Sequence, residues 1–175
     1  MGTPDKNLLS ICGEVIGARD LGGLTPPDAT YADTLKITGG SHSGVITAAH
    51  INGGYEDCID INNRCHDIEI NAIKLSSGGS YVATIKGGSH DITLRGKIWK
   101  GGKTADIDLG NWSDQSNDRT TGIRLDLTRA DGLPVRVRLI NADAPRLIGG
   151  GPYQVKRLNP ILWWFYKLLK RIHLV

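Results

Sequence analysis

From residue 33 onward, apolar and polar residues alternate in short runs, and the runs return at a constant interval. In rows of 24 the chain reads DTLKITGGSHSGVITAAHINGGYE (33–56), DCIDINNRCHDIEINAIKLSSGGS (57–80) and YVATIKGGSHDITLRGKIWKGGKT (81–104). A fourth row begins ADIDLGNWSDQSNDRTTGIRLDLT (105–128). Each row opens with apolar residues two apart: Leu35, Ile59, Ala83 and Ile107, then Ile37, Ile61, Ile85 and Leu109. That spacing is the period of a strand, not of a helix. A turn follows at Gly39-Gly40, Asn62-Asn63, Gly87-Gly88 and Gly110-Asn111. A second alternation comes next, at Val45-Ile46, at Ile68 and Ile70, and at Ile92 and Leu94. The column Ile51, Leu75 and Trp99 marks a third apolar patch before the next Gly-rich turn. Three short strands per repeat predict one coil of a parallel β-solenoid, whose inward face is buried only by stacking.

The frame loosens after the third row. The insertion NWSDQSNDRTT interrupts the fourth coil before GIRLDL resumes, and VRVRL (135–139), NADAP and RLIGG follow. The pattern predicts about five coils over 33–150, preceded by an N-terminal lead-in or cap (1–32) and followed by a linker and helix (151–175). In that last segment Asn159 and Pro160 suit an N-cap and first helical position. Ile161, Phe165, Leu168, Ile172 and Val175 form an apolar stripe, widened by Leu162, Trp164 and Leu169, while Lys167, Lys170 and Arg171 suit the final turns. This amphipathic helix is too short to span a bilayer. Trp163, Trp164, Phe165, Leu168, Leu169 and Ile172 are its docking residues, with three candidate roles: capping the solenoid, packing against a subunit, or lying on a membrane surface.

Composition agrees with an all-β fold: 23 glycines against one Phe and one Met. The net charge of +3 is slight, and no nucleic-acid partner is expected. Cys12, Cys58 and Cys65 are an odd set without paired spacing, which argues against a disulfide scaffold or a zinc site. The opening MGTPDKNLLSICGEVIG lacks the basic and apolar regions of a secretion signal, so synthesis and retention in a cytosol are expected. His42, His66 and His90 share one column. Rungs roughly 4.8 Å apart predict a stacked ladder at a corner rather than three ligands around one ion, and no metal or other cofactor is expected.

The strings CIDINN followed by CHDIEI, and ATIKGG followed by SHDITL, resemble the right-handed parallel β-helix of the pectin-lyase-like superfamily over about residues 33–150. The resemblance implies that any polysaccharide-cleaving site lies on the outer face of the first sheet. One outward column there holds Lys36, Asp60, Thr84 and Asp108; the next holds Thr38, Asn62, Lys86 and Gly110. Asp60, Asp106 and Asp108 are the catalytic candidates if the chain is an enzyme, since Asp60 and Asp108 would stand on the order of 9–10 Å apart, near the wide limit for an inverting glycosidase. Yet the strings Asn-Thr-Asp, Asp-Asp, Gly-His-Gly and Arg-Ile-Lys of the hydrolases are absent. Alternating Asp and Lys is then expected to keep a solvated face soluble. Lys86 and Trp112, the latter in the insertion, are binding candidates for a glycan. The expectation is a non-enzymatic structural or attachment protein, a phage virion component such as a capsid decoration, vertex or spike protein. It would assemble in the host cytoplasm, or remain cytoplasmic, with subunits of its own kind or of a capsid as partners. The alternative is a carbohydrate-binding or polysaccharide-cleaving β-helix.

Overall fold

The computed structural model describes residues 6–7, 11–16, 19–21, 33–53, 57–77, 79–110 and 118–159, the first three of these stretches as backbone only. The elements are β1 (Lys6–Asn7), β2 (Ile11–Ile16), β3 (Arg19–Leu21), β4 (Leu35–Ile37), β5 (Ser41–Gly53), β6 (Asp57–Ile61) and β7 (His66–Ser77). Then come β8 (Tyr81–Ile85), β9 (His90–Lys100), β10 (Ile107–Leu109), β11 (Arg124–Arg129), β12 (Val135–Leu139), β13 (Arg146–Gly150) and β14 (Tyr153–Arg157). Consecutive long strands alternate between two sheets. One runs β14-β12-β10-β8-β6-β4-β3 and the other β1-β5-β7-β9-β11-β13, with β2 also on β5. Their strand pairs are parallel. This is an all-β parallel solenoid of about four turns. Among the described residues there is no helix; the helix expected beyond Asn159 lies outside them.

The 24-residue frame is the pairing register. Leu35 pairs with Ile59, Ile59 with Ala83 and Ala83 with Ile107; Ile37, Ile61, Ile85 and Leu109 pair the same way. All eight are buried, as are Ile46, Ile68, Ile70, Ile92 and Leu94 from the opposite sheet. Stacking is what closes this core, since each coil alone leaves its inward residues open above and below. The first turn of each coil takes two left-handed residues in succession, at Gly39-Gly40, Asn63-Arg64 and Gly87-Gly88. Glycine and asparagine fit there because that conformation crowds a Cβ.

Two expectations fail, for one reason. The second and third apolar runs of each row do not form separate strands but merge into the long strands β5, β7 and β9. The bend between them is absorbed by an irregularity: Ala72 pairs with Gly96, but Lys74 pairs with Lys97, which leaves Ile73 as an extra residue in β7. The compensating shift puts Leu75 opposite Ile98 and Ser76 opposite Lys100, so Trp99 is the extra residue in β9. A bulge moves every following side chain by one place. Ile98 therefore takes the core position, and Trp99, assigned to the inward column by the simple count, stands 54% exposed. Gly96 sits at this corner with φ +154°, where a Cβ would lie 2.2 Å from the Ala72 carbonyl oxygen.

The coil count of five is also one too many. The fifth row supplies β12, whose Val135, Val137 and Leu139 are buried, but the row's second strand, β13, in the opposite sheet, is exposed at every position. It adds a strand to the sheet without closing another turn of core.

Candidate functional site

The outer face of the β4–β12 sheet carries the carboxylates that the sequence singles out, and it is not the solvated face expected. Asp60, Thr84, Asp106 and Asp108 are all buried. The pairing Asp60–Thr84–Asp108 places the two carboxylates two rungs apart, and each is bound by neighbours. Asp60 meets Lys86 Nζ at 3.2 Å and Lys36 Nζ at 3.6 Å, and accepts a hydrogen bond from Asn62 Nδ2 at 2.7 Å. Asp108 takes both prongs of the Arg138 guanidinium, each at 2.7 Å, and Arg138 in turn lies 4.8 Å from the centre of the Tyr81 ring. Asp106 is held by Arg129 at 2.8 and 2.9 Å, by the Arg136 guanidinium at 3.0 Å and by the Arg136 backbone N–H at 2.9 Å. The cations are themselves mostly covered: the side chains of Lys86, Arg129 and Arg138 keep 17, 13 and 20% of their exposure.

These contacts decide what the face can do chemically. A general acid or base must meet substrate with a free oxygen, whereas both oxygens of Asp108 and of Asp106 are spent on arginine. Lys86, a binding candidate by sequence, is committed to Asp60. Burial works against its ammonium, and the charge and hydrogen bond of Asp60 more than offset this, so its pKa is raised. Burial pushes the Asp108 carboxyl up, against the pull of Arg138.

Asp57 was missed by column reading. It is buried beside this row, accepts a hydrogen bond from Thr84 Oγ1 at 2.6 Å, and takes part in a backbone link to Asp33. Burial first, then the charges of Asp33 and Asp60, raise its pKa to about 7 despite the Thr84 donor and the Lys86 charge. The signal was faint, because Asp57 opens a row as Asp33 does.

At the opposite corner the three histidines form the expected ladder. The rings of His42 and His66 stack at 5.0 Å and 4° between planes, and those of His66 and His90 at 4.9 Å and 3°. The next residue is left-handed in each coil, at Ser43, Asp67 and Asp91. Its side chain turns back to the ring: Nδ1 lies 3.0 Å from Ser43 Oγ, 2.8 Å from Asp67 and 2.9 Å from Asp91. Among the described residues no group of three or more His, Cys, Asp or Glu is placed to hold a metal ion. Cys65 occupies the column of Ser41 and Ser89, and like Ser41 it donates to the carbonyl three residues back. Burial pushes the thiols of Cys58 and Cys65 up to about 12 and about 11, leaving both protonated rather than nucleophilic.

The second exposed feature is Trp99. Lys74 Nζ lies 4.7 Å and Lys97 Nζ 5.8 Å from the centre of its ring. On the same sheet an open groove of about 370 Å³ is lined by Thr47, Ala49, Asn71, Ile73 and Arg95, with Ile73 71% exposed. Trp112 and the docking residues Trp163, Trp164, Phe165, Leu168, Leu169 and Ile172 lie outside the described residues. Among those described, no helix is long and apolar enough to cross a membrane.

Taken together, the fold and its outer faces define a parallel β-solenoid whose ionisable residues mostly hold the stack together. Comparison with protein-family models, with curated proteins and with solved structures finds no match to this chain.

Proposed function

We propose that the protein is a non-enzymatic structural or attachment protein, a rigid right-handed β-helix of the pectin-lyase-like kind that serves as a component of a phage particle. The observation that carries this reading is the state of the outer carboxylates: Asp106 and Asp108 are buried and saturated by Arg129, Arg136 and Arg138. Charges arranged this way stiffen a rod and leave no acid–base pair for hydrolysis. In this reading the 160–175 segment forms an amphipathic helix and docks the rod to other subunits. The test is gradient sedimentation of a lysate from cells making the chain in its native context. Co-migration with assembled particles is expected; recovery wholly at the position of a free protein overturns the reading. So does cleavage of any polysaccharide by the purified chain that disappears in Asp60→Asn.

A second reading, carbohydrate binding, is favoured by Trp99, an exposed aromatic side chain flanked by the ammonium groups of Lys74 and Lys97. Titration of acidic oligosaccharides against wild type and Trp99→Ala tests it; equal binding by both removes Trp99 from any glycan site.

A further inference from the structure

We propose that the last rung of the solenoid, β13 and β14, is a docking edge for an extended acidic segment of a partner protein. The inference rests on the structural reading above and names the surface through which such a component attaches. Both strands end their sheets: β13 pairs with β11, β14 with β12, and among the described residues neither has a strand on its far side. A strand with one neighbour turns half of its backbone N–H and C=O groups outward, ready to pair with another chain. Among the described residues nothing is stacked on this rung. Leu147 stacks on Leu125 and Val155 on Val137; the lower residues are buried, while Leu147, Ile148 and Val155 are each 45% exposed. Gly149 and Gly150 let β13 lie close on β11, since a Cβ there would meet Asp126 and the Leu127 backbone, which leaves the outward backbone groups of the edge with small neighbours.

Charge selects the occupant. All 18 acidic residues precede residue 144, whereas Arg146, Lys156, Arg157, Lys167, Lys170 and Arg171 follow it. Two copies meeting through this edge would set cation against cation. The 160–175 segment carries Lys167, Lys170 and Arg171 and no acidic residue, so it offers Arg146, Lys156 and Arg157 no opposite charge. A nucleic acid or an anionic membrane would answer the charge but leave the strand edge and the apolar row unused. An extended polypeptide with acidic and apolar residues in alternation answers all three features by strand addition.

The test uses the full chain and a fluorescent short peptide alternating glutamate and valine, followed by anisotropy. Binding is expected, at least tenfold weaker for Lys156→Glu/Arg157→Glu, for Lys156→Glu alone, and for the same peptide N-methylated at alternate backbone positions. It should weaken with salt and be unchanged in Lys74→Glu, on β7, away from this edge. No binding, equal binding of the N-methylated peptide, or tighter binding to duplex DNA or anionic vesicles overturns the proposal. A peptide-free chain that light scattering finds dimeric or fibrous, and that becomes monomeric in Val155→Lys, overturns it in favour of self-association. Failure here with continued co-migration in particles removes this edge and leaves the structural reading standing; loss of co-migration with retained peptide binding does the reverse.

Discussion

Replacing Asp57 by asparagine should flatten the pH dependence of stability. The folded carboxyl titrates at about 7 against an ordinary 3.8, so the fold resists its ionisation. Such a group contributes full stability below its unfolded value, loses it as pH climbs toward the folded value, and changes nothing further above that. At about 1.4 kcal/mol per pH unit, the loss between pH 5 and pH 8 is about 3 kcal/mol. In a protein of this size that is roughly 6–12 °C in melting temperature. The causes, in order, are burial, partly opposed by the Thr84 hydroxyl, and the charges of Asp33 and Asp60, partly opposed by Lys86. Asparagine keeps the shape and can still accept from Thr84, but cannot ionise. The assay is thermal or urea unfolding of wild type and Asp57→Asn at pH 5, 6, 7 and 8, read as the difference between the two curves so that other titrations cancel. The wild type should fall behind the variant by about 3 kcal/mol across that range. Parallel curves would refute the reasoning, because they would mean that Asp57 ionises as freely in the fold as out of it.

Asp108→Asn strips the partner from a mostly covered Arg138 and should cost about 3–5 kcal/mol in urea unfolding, with much of it recovered in Asp108→Asn/Arg138→Met; a neutral single variant would contradict the burial of the pair. His66→Ala removes the middle ring of the ladder and both of its stacking contacts. It should cost about 1–3 kcal/mol, and hydrogen exchange should rise at the turns beside His42 and His90 rather than throughout. Gly96→Ala forces a Cβ against the Ala72 carbonyl, and should lower stability by more than about 2 kcal/mol. Val45→Ala, on the exposed face of β5, should stay within about 0.5 kcal/mol.

The columns Leu35–Ile59–Ala83–Ile107 and His42–His66–His90 could be read without a structure because a solenoid turns spatial adjacency into a fixed sequence interval. Each coil contacts the next, so a constant step of 24 is a contact map in one dimension. The side-chain period of two then assigns each residue to the inside or the outside. What a single step can slip, the sequence left open. Trp99 and Ile98 are neighbours in one strand, and the bulges at Ile73 and Trp99 alone decide which of them enters the core. Nothing local distinguishes them, since both are large and apolar.

The carboxylates show the same division. That Asp60 and Asp108 share a face two rungs apart follows from the repeat; that neither meets solvent does not. Arg138 reaches Asp108 across 30 positions and Arg129 reaches Asp106 across 23, intervals that the fourth-row insertion has pulled off the 24-residue frame. The rungs, the inward columns of the first strand and the histidine ladder were therefore determined by the sequence alone, through its period. The tertiary structure decided the burial of the ion pairs, the exposure of Trp99 and the exposure of β13 and β14. Those depend on where the period breaks and on what each strand meets in the neighbouring layer of the stack.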